Sequence, residues 1–318
     1  MFDRPRFGAP RYGLRMKFSL WTSNSRPWLE MVDLATYADL NGWHSLWYAD
    51  HFMSQTPDDT PGSDPALECW SILAAIAATV PRLRLTSMVS PVTIHHPVVL
   101  AKRVATVDRI SGGRVVFGLG AGWQVNEHAG YGFNLPAPGE RVTHFIEALQ
   151  VIRHLIDDER ATFAGRWYTL TDAPFEPKPV QSPLPILVGT GSPRMMRATA
   201  TYANEWNTWG APDVVRERTA DFVAACEAVD RDPMTIRRSA QAMVFFTDDD
   251  ATRESMMSKV PEGRSLVGSS AQIVDIMGGY VELGVDEFAL PDFNLGAEPS
   301  QRREAIERFW DEVAIHFI

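Results

Sequence analysis

The sequence predicts an eight-stranded α/β barrel, a (β/α)8 fold with insertions after strand four and before strand five. Three observations predict it. Eight short apolar runs alternate with helical patterns along the 318 residues. Most of those runs are continuous, as in parallel strands covered by helices on both faces. No composition break or Ser/Gly-rich linker divides the chain. Length alone favours two domains of roughly 150 residues, but α/β barrels run to about 250 residues or more as one domain. An open doubly wound sheet normally carries GxGxxG after its first strand, and none is present here. The barrel is therefore expected to take residues 15–318 as one domain, preceded by an arm over residues 1–14.

Each element has its own signal. Lys17 to Trp21 is the first run, and the helix after Pro27 stops at Asn41-Gly42, with proline at the start and glycine past the end. Ser45 to Ala49 is the second strand, followed by a helix over 68–79, and Leu83 to Val89 is the third. Pro97 opens a helix in which Leu100, Val104 and Val107 share a face by their spacings of four and three. Gly112-Gly113 ends it, and Val115 to Gly120 reads as a fully buried fourth strand. A Gly-, Pro- and aromatic-rich loop (121–139) leads to a helix over 140–156. A hairpin and a proline-rich crossing then occupy 160–183. Pro185 to Gly189, Glu205 to Trp209, Ser239 to Thr247 and Val285 to Leu290 complete the strands, with helices over 193–203, 212–229, 270–283 and 301–317.

Composition narrows the function. Hydrophobic residues at 45% and charged residues at 22% are ordinary for a globular protein and exclude low complexity. A net charge of −10 argues against general nucleic-acid binding, though not against a local basic pocket. The longest apolar stretch, Trp70 to Val80, falls short of the ~18 to 20 residues that span a bilayer. The N-terminal arginines lack the apolar segment of a secretory signal, so a cytoplasmic protein without a membrane partner is expected. Cys69 and Cys226 are far apart and have no CxxC partner, which disfavours a disulfide scaffold or a zinc cluster. His95-His96 resembles a metal pair, but adjacent side chains of an extended segment point apart, and no metal is expected.

In a barrel the chemistry sits just past the C-terminal strand ends. Asp50-His51 follows the second run and can place an imidazole in the mouth with a carboxylate nearby, suited to proton transfer near neutral pH; the plainer reading is a polar pair capping a turn. Gly118-Leu119-Gly120-Ala121-Gly122-Trp123, followed by Asn126-Glu127, lets backbone approach a flat or anionic ligand, or simply makes a tight turn. Gly189-Thr190-Gly191-Ser192-Pro193-Arg194 joins a strand to a helix N-terminus, a place where phosphate binds or where serine merely caps. Trp123, Trp206 and Trp209 are open between pocket lining and packing, and Trp21 ends the first strand.

Taken in order, these motifs resemble the bacterial luciferase-like monooxygenase superfamily. The resemblance rests on Trp47-Tyr48-Ala49-Asp50-His51-Phe52 and on Ser111-Gly112-Gly113-Arg114 running into the Gly118–Trp123 segment. Tyr131-Gly132-Phe133 before Glu140-Arg141, Glu176-Pro177-Lys178-Pro179-Val180-Gln181, Pro185 to Gly189 and Tyr202-Ala203-Asn204-Glu205-Trp206-Asn207 extend it over nearly the whole chain after residue 15. It is most similar to the actinobacterial branch that uses the deazaflavin F420. The resemblance implies a TIM barrel with the cofactor ring over the mouth and its phosphate at the turn Gly189, Thr190, Gly191 and Ser192. It implies His51 as the acid/base, and Asp50 as the group that orients that imidazole or meets the ring. Ser87-Met88 would form the strand-end bulge whose non-proline cis peptide backs the ring, with Gly120, Gly122 and Asn126 beside it. Trp21, Trp123 and Trp206 are expected on the substrate side.

The activity implied is hydride transfer between C5 of F420 and an organic substrate. The alternative is an FMN-dependent monooxygenase using O2 and fed reduced flavin by a partner reductase. A non-catalytic flavin-binding paralogue is a third reading, against which the retained Asp50-His51 argues. Family members are commonly dimeric, so a homodimer is expected, and the anionic F420 tail calls for a basic rim at the mouth. Two positions depart from the family's sugar-phosphate dehydrogenases: Trp123 replaces a glutamate, and Gln55 stands where they have tryptophan. Sugar phosphate is therefore dropped, and an apolar or aromatic substrate is expected.

Overall fold

The computed structural model describes residues 15–318, and the arm expected over residues 1–14 lies outside the described residues. Eight parallel strands form the closed barrel, with a short ninth strand, Ser90–Pro91, pairing on the fourth: β1 (Lys17–Thr22), β2 (Ser45–Tyr48), β3 (Arg84–Ser87), β4 (Val115–Gly120), β5 (Ile186–Gly189), β6 (Glu205–Trp209), β7 (Arg237–Gln241) and β8 (Glu287–Pro291). Consecutive strands pair, β8 pairs with β1, and Leu85 and Thr86 meet Val115 and Val116, so the sheet closes on itself. The helices between and after them are α1 (Trp28–Asn41), α2 (Cys69–Thr79), α3 (Pro97–Ser111), α4 (Pro138–Asp157), α5 (Pro193–Tyr202), α6 (Pro212–Glu227), α7 (Ser270–Glu282) and α8 (Pro299–Glu312). This is the (β/α)8 barrel the sequence predicts.

Strand periodicity sorts the side chains into two shells. Phe18 and Leu20 of β1, Phe117 and Leu119 of β4, and Phe288 and Leu290 of β8 belong to the large core shared with the helices. The alternate residues point into the barrel, where Trp21, Trp47, Met88, Val116, Leu187 and Ala289 pack together. Below them lies a polar floor. Glu287 accepts from Trp47 Nε1 at 3.0 Å and from Ser19, and it pairs with Arg237 at 3.1 Å. Arg84 pairs with Glu205 at 3.0 Å.

His44 closes that floor, accepting from Arg237 Nη2 at 3.1 Å. Burial, then the positive charges of Arg237, Lys17 and Arg84, push its imidazole down from 6.5 to about 2. The unfolded chain therefore binds the proton first, so the stability present above pH 6.5 is lost as pH falls below it. In thermal melts from about pH 7.5 to about pH 5, His44→Gln should lose less Tm than the parent. Equal slopes would contradict this.

The expected insertions are present. Residues 121–137 hold a short helix, Val125–Tyr131, and Arg160–Ala164 pairs antiparallel with Thr169–Pro174. A third insertion corrects the strand expected over 239–247. The ladder of β7 with its barrel neighbours ends at Gln241, opposite Trp209 and Ala289. Beyond it, Met243 N donates to Arg264 O at 2.9 Å, and Met243–Phe246 pairs with Ser265–Gly268 outside the barrel. Among the described residues, no helix is long and apolar enough to cross a membrane, and no group of three or more His, Cys, Asp or Glu side chains could hold a metal ion.

Candidate active site

The C-terminal ends of the strands surround a cavity of about 800 Å³, within the range of small-molecule and cofactor sites. Trp21, His51, Met88, Gly120, Gly122, Trp123, Gly189, Thr190 and Gly191 all line it. These are the sequence-predicted residues that the fold does bring together. One wall is held from the opposite side of the closure. The buried Asp292, just past β8, accepts from Ser23 N at 2.9 Å and from Arg26 Nε at 3.1 Å, fixing the loop after β1. Burial raises the Asp292 carboxyl pKa, and Arg26 opposes that shift.

His51 is the reactive-looking group. Its Nδ1 lies 2.9 Å from Glu127 Oε1, and Glu127 Oε2 accepts from Phe52 N at 3.0 Å. Glu127 is fully buried, while the His51 side chain keeps 18% exposure toward the cavity. An ionised carboxylate can only accept, so Nδ1 carries the hydrogen and Nε2 is left free for a proton from the cavity. The Trp123 indole packs edge-on against the imidazole at 5.5 Å. Glu127 stands 76 residues after His51 and directly after Asn126 in the sequence.

Four expectations are corrected. Asp50 does not orient His51: it is buried, does not line the cavity, and bonds His95 Nε2 at 2.9 Å. Adjacent residues leaving a strand point apart, so only one of the pair can face the mouth. Asn126 is also turned away, donating to Ser54 O at 2.8 Å and Thr60 O at 3.1 Å, and so ties down the loop after β2. Ser87 is sealed against β4, its hydroxyl donating to Gly118 O and accepting from Gly118 N, both at 3.0 Å. The cis peptide of the bulge joins Met88 to Val89. Trp206 lies outside the barrel, stacked on Phe222 of α6 at 4.3 Å, with Nε1 donating to Thr190 O. Trp209, three residues on and of opposite parity, lines the cavity instead.

The turn after β5 stands between two lobes. A smaller one, about 260 Å³, is lined by Gly120, Gly122, Arg141, Gly189, Thr190 and Ser192, among others. Arg141 donates to Gly122 O at 2.8 Å, and its Nε is a buried donor with no partner. Arg194, the cation nearest in sequence, is tied back to Gly139 O and Thr143 Oγ1. The glycines are required by space. A Cβ on Gly120 would sit 2.6 Å from Val89 Cγ2, and one on Gly122, at φ +88°, 2.2 Å from Thr93 Oγ1. Arg218 and Arg264 border the larger lobe; burial first, then the Arg264 charge, lowers the Arg218 pKa.

A parallel barrel with glycine-lined backbone, a histidine held by a buried carboxylate, and cations at the turn after β5 defines a cofactor-using α/β barrel. Comparison narrows the class. The chain belongs to the luciferase-like monooxygenase family, whose profile matches residues 14–260. It is 36% identical over 165 residues to an F420-dependent glucose-6-phosphate dehydrogenase of Kineococcus radiotolerans, covering 52% of this chain and 47% of that one. The chain thus spans about half the length of that curated relative. An F420-dependent hydroxymycolic acid dehydrogenase of Mycobacterium tuberculosis is 25% identical over 291 residues, 91% of this chain and 78% of its own. The fold matches an F420-dependent tetrahydromethanopterin reductase of Methanopyrus kandleri at a TM-score of 0.79 and 18% identity, covering 96% of this chain and 100% of that one.

Proposed function

We propose that this chain is an F420-dependent oxidoreductase transferring a hydride between the deazaflavin and a small organic substrate. The observation that carries the reading is the His51–Glu127 pair facing a cavity of cofactor size, in a chain similar to F420-dependent dehydrogenases. The residues fit the group. Gly120, Gly122 and Gly189 line the cavity beside Met88 with bare backbone that a flat ring can approach closely, and the unpartnered Arg141 Nε with Thr190 and Ser192 suits a phosphate. When bound, F420 accepts or supplies a hydride at C5, and with carbon in place of the flavin N5 it does not readily activate oxygen.

The side chains of the protein do the rest. Glu127 fixes the His51 tautomer and favours the imidazolium that forms when Nε2 takes a proton from a substrate hydroxyl. In the reverse direction the same nitrogen returns the proton to a carbonyl oxygen. Trp123 walls that side of the imidazole, and Trp21 and Trp209 cover the cavity beneath. The test is direct binding of cofactor to the purified chain: F420 should saturate it, and tight FMN with negligible F420 would favour the monooxygenase reading.

A further inference from the structure

Among the described residues, two arginines of the mouth form no ion pair with a carboxylate. Arg218, on α6, and Arg264, before the outer strand Ser265–Gly268, both line the large lobe. Arg218 is anchored through Nη1, which donates to Thr208 Oγ1 and Trp209 O, each at 2.9 Å. Its guanidinium carbon is 3.3 Å from where a Cβ on Gly191 would lie, so glycine leaves that guanidinium its place at the turn. Among the described residues, neither arginine is in an ion pair, and the Arg264 guanidinium makes no hydrogen bond. Like charges placed side by side in a half-dry mouth are unfavourable until an anion joins them. Acidic residues outnumber basic ones in this chain, 40 to 30, which makes an unpaired cationic pair at the mouth the more telling.

The phosphate turn already has another donor. Arg141 Nε, buried and unpartnered, sits in the smaller lobe with Gly120, Gly122, Thr190 and Ser192. Arg218 and Arg264 line the larger lobe and not the smaller one, and the larger lobe's wall also holds Trp209, Trp21 and Phe293, with Trp21 ring centroids 5.3 and 5.0 Å from the other two. We infer that Arg218 and Arg264 bind the anionic head, a carboxylate or phosphate, of the substrate, whose apolar body lies against Trp21, Trp209 and Phe293. This rests on the reading that F420 occupies the cavity with its phosphate on the Arg141 side. It adds a charged end to the apolar or aromatic substrate expected from the sequence.

The same chemistry has a second source, the glutamyl tail of the cofactor, and the test separates them. Inorganic phosphate is titrated calorimetrically into the apo and the F420-loaded chain, for the parent and for Arg264→Gln. Arg264 is the safer position, because its guanidinium holds no other element, whereas Arg218 braces Trp209. The F420-loaded parent is expected to bind phosphate, and Arg264→Gln to bind it about tenfold or more weakly, with F420 affinity unchanged. Phosphate that binds only the apo chain and is displaced by F420 would assign the pair to the cofactor. Unchanged phosphate affinity in Arg264→Gln, or no binding by the loaded parent, would equally overturn the inference. If the chain takes FMN and not F420, the functional reading fails, and the same titration on the FMN-loaded chain still decides the subsite.

Discussion

His51→Ala is expected to lower turnover by about 10²-fold or more on any substrate the parent accepts, with F420 affinity held within about threefold. Among the described residues lining the mouth, the imidazole combines a free ring nitrogen with a fixed tautomer, set by the 2.9 Å contact to Glu127. Its removal takes away the proton acceptor and leaves Met88, Gly120, Gly122 and the turn after β5 intact around the cavity. A loss of turnover without loss of binding is the signature of an interaction made only as the reaction proceeds. Turnover within about fivefold of the parent would remove His51 from the proton step.

Gly118→Ala is expected to be the most destabilising single methyl in the barrel. A Cβ there would lie 1.7 Å from the Ser87 carbonyl oxygen and 2.9 Å from its carbon, and both are backbone atoms. Strands β3 and β4 are locked together at this point by the Ser87 hydroxyl, which bonds both the N–H and the C=O of Gly118. They can accept the methyl only by parting, which also displaces Met88 from the cavity wall. Overpacking of this kind costs about 3 kcal/mol or more, a fall in Tm of about 5 °C for a chain of this size. A variant melting within about 1 °C of the parent would show that β3 and β4 pack more loosely than described.

The barrel was legible because its two signals are local: continuous apolar strands, and helices punctuated by Pro97, Pro193 and Pro212 in their first turns and by Gly42 and Gly112 at their ends. The outer strand pair was not, since Met243–Phe246 follows β7 after a single residue and its partner, Ser265–Gly268, lies some twenty residues on. Of the site, the strand-end glycines and His51 could be read from position in the fold. Side-chain parity could have sorted the rest. Trp206 and Trp209 are three apart and so face opposite sides of a strand, and Asp50 and His51 diverge for the same reason that His95 and His96 do. The cations were beyond such reading. Arg141 stands in the Glu140-Arg141 motif and Arg218 and Arg264 on α6 and an outer loop, and only the closed sheet brings the first to the smaller lobe and the other two to the larger one.

The two cofactors share a flat ring and a phosphate, so the glycine-lined wall and Arg141 admit either on shape, and direct titration decides between them. Fluorescence of the purified chain is followed against F420 and, separately, against FMN. F420 is expected to bind with a Kd of about 10 µM or below and FMN about 100-fold more weakly. Tight FMN with negligible F420 would contradict the assignment.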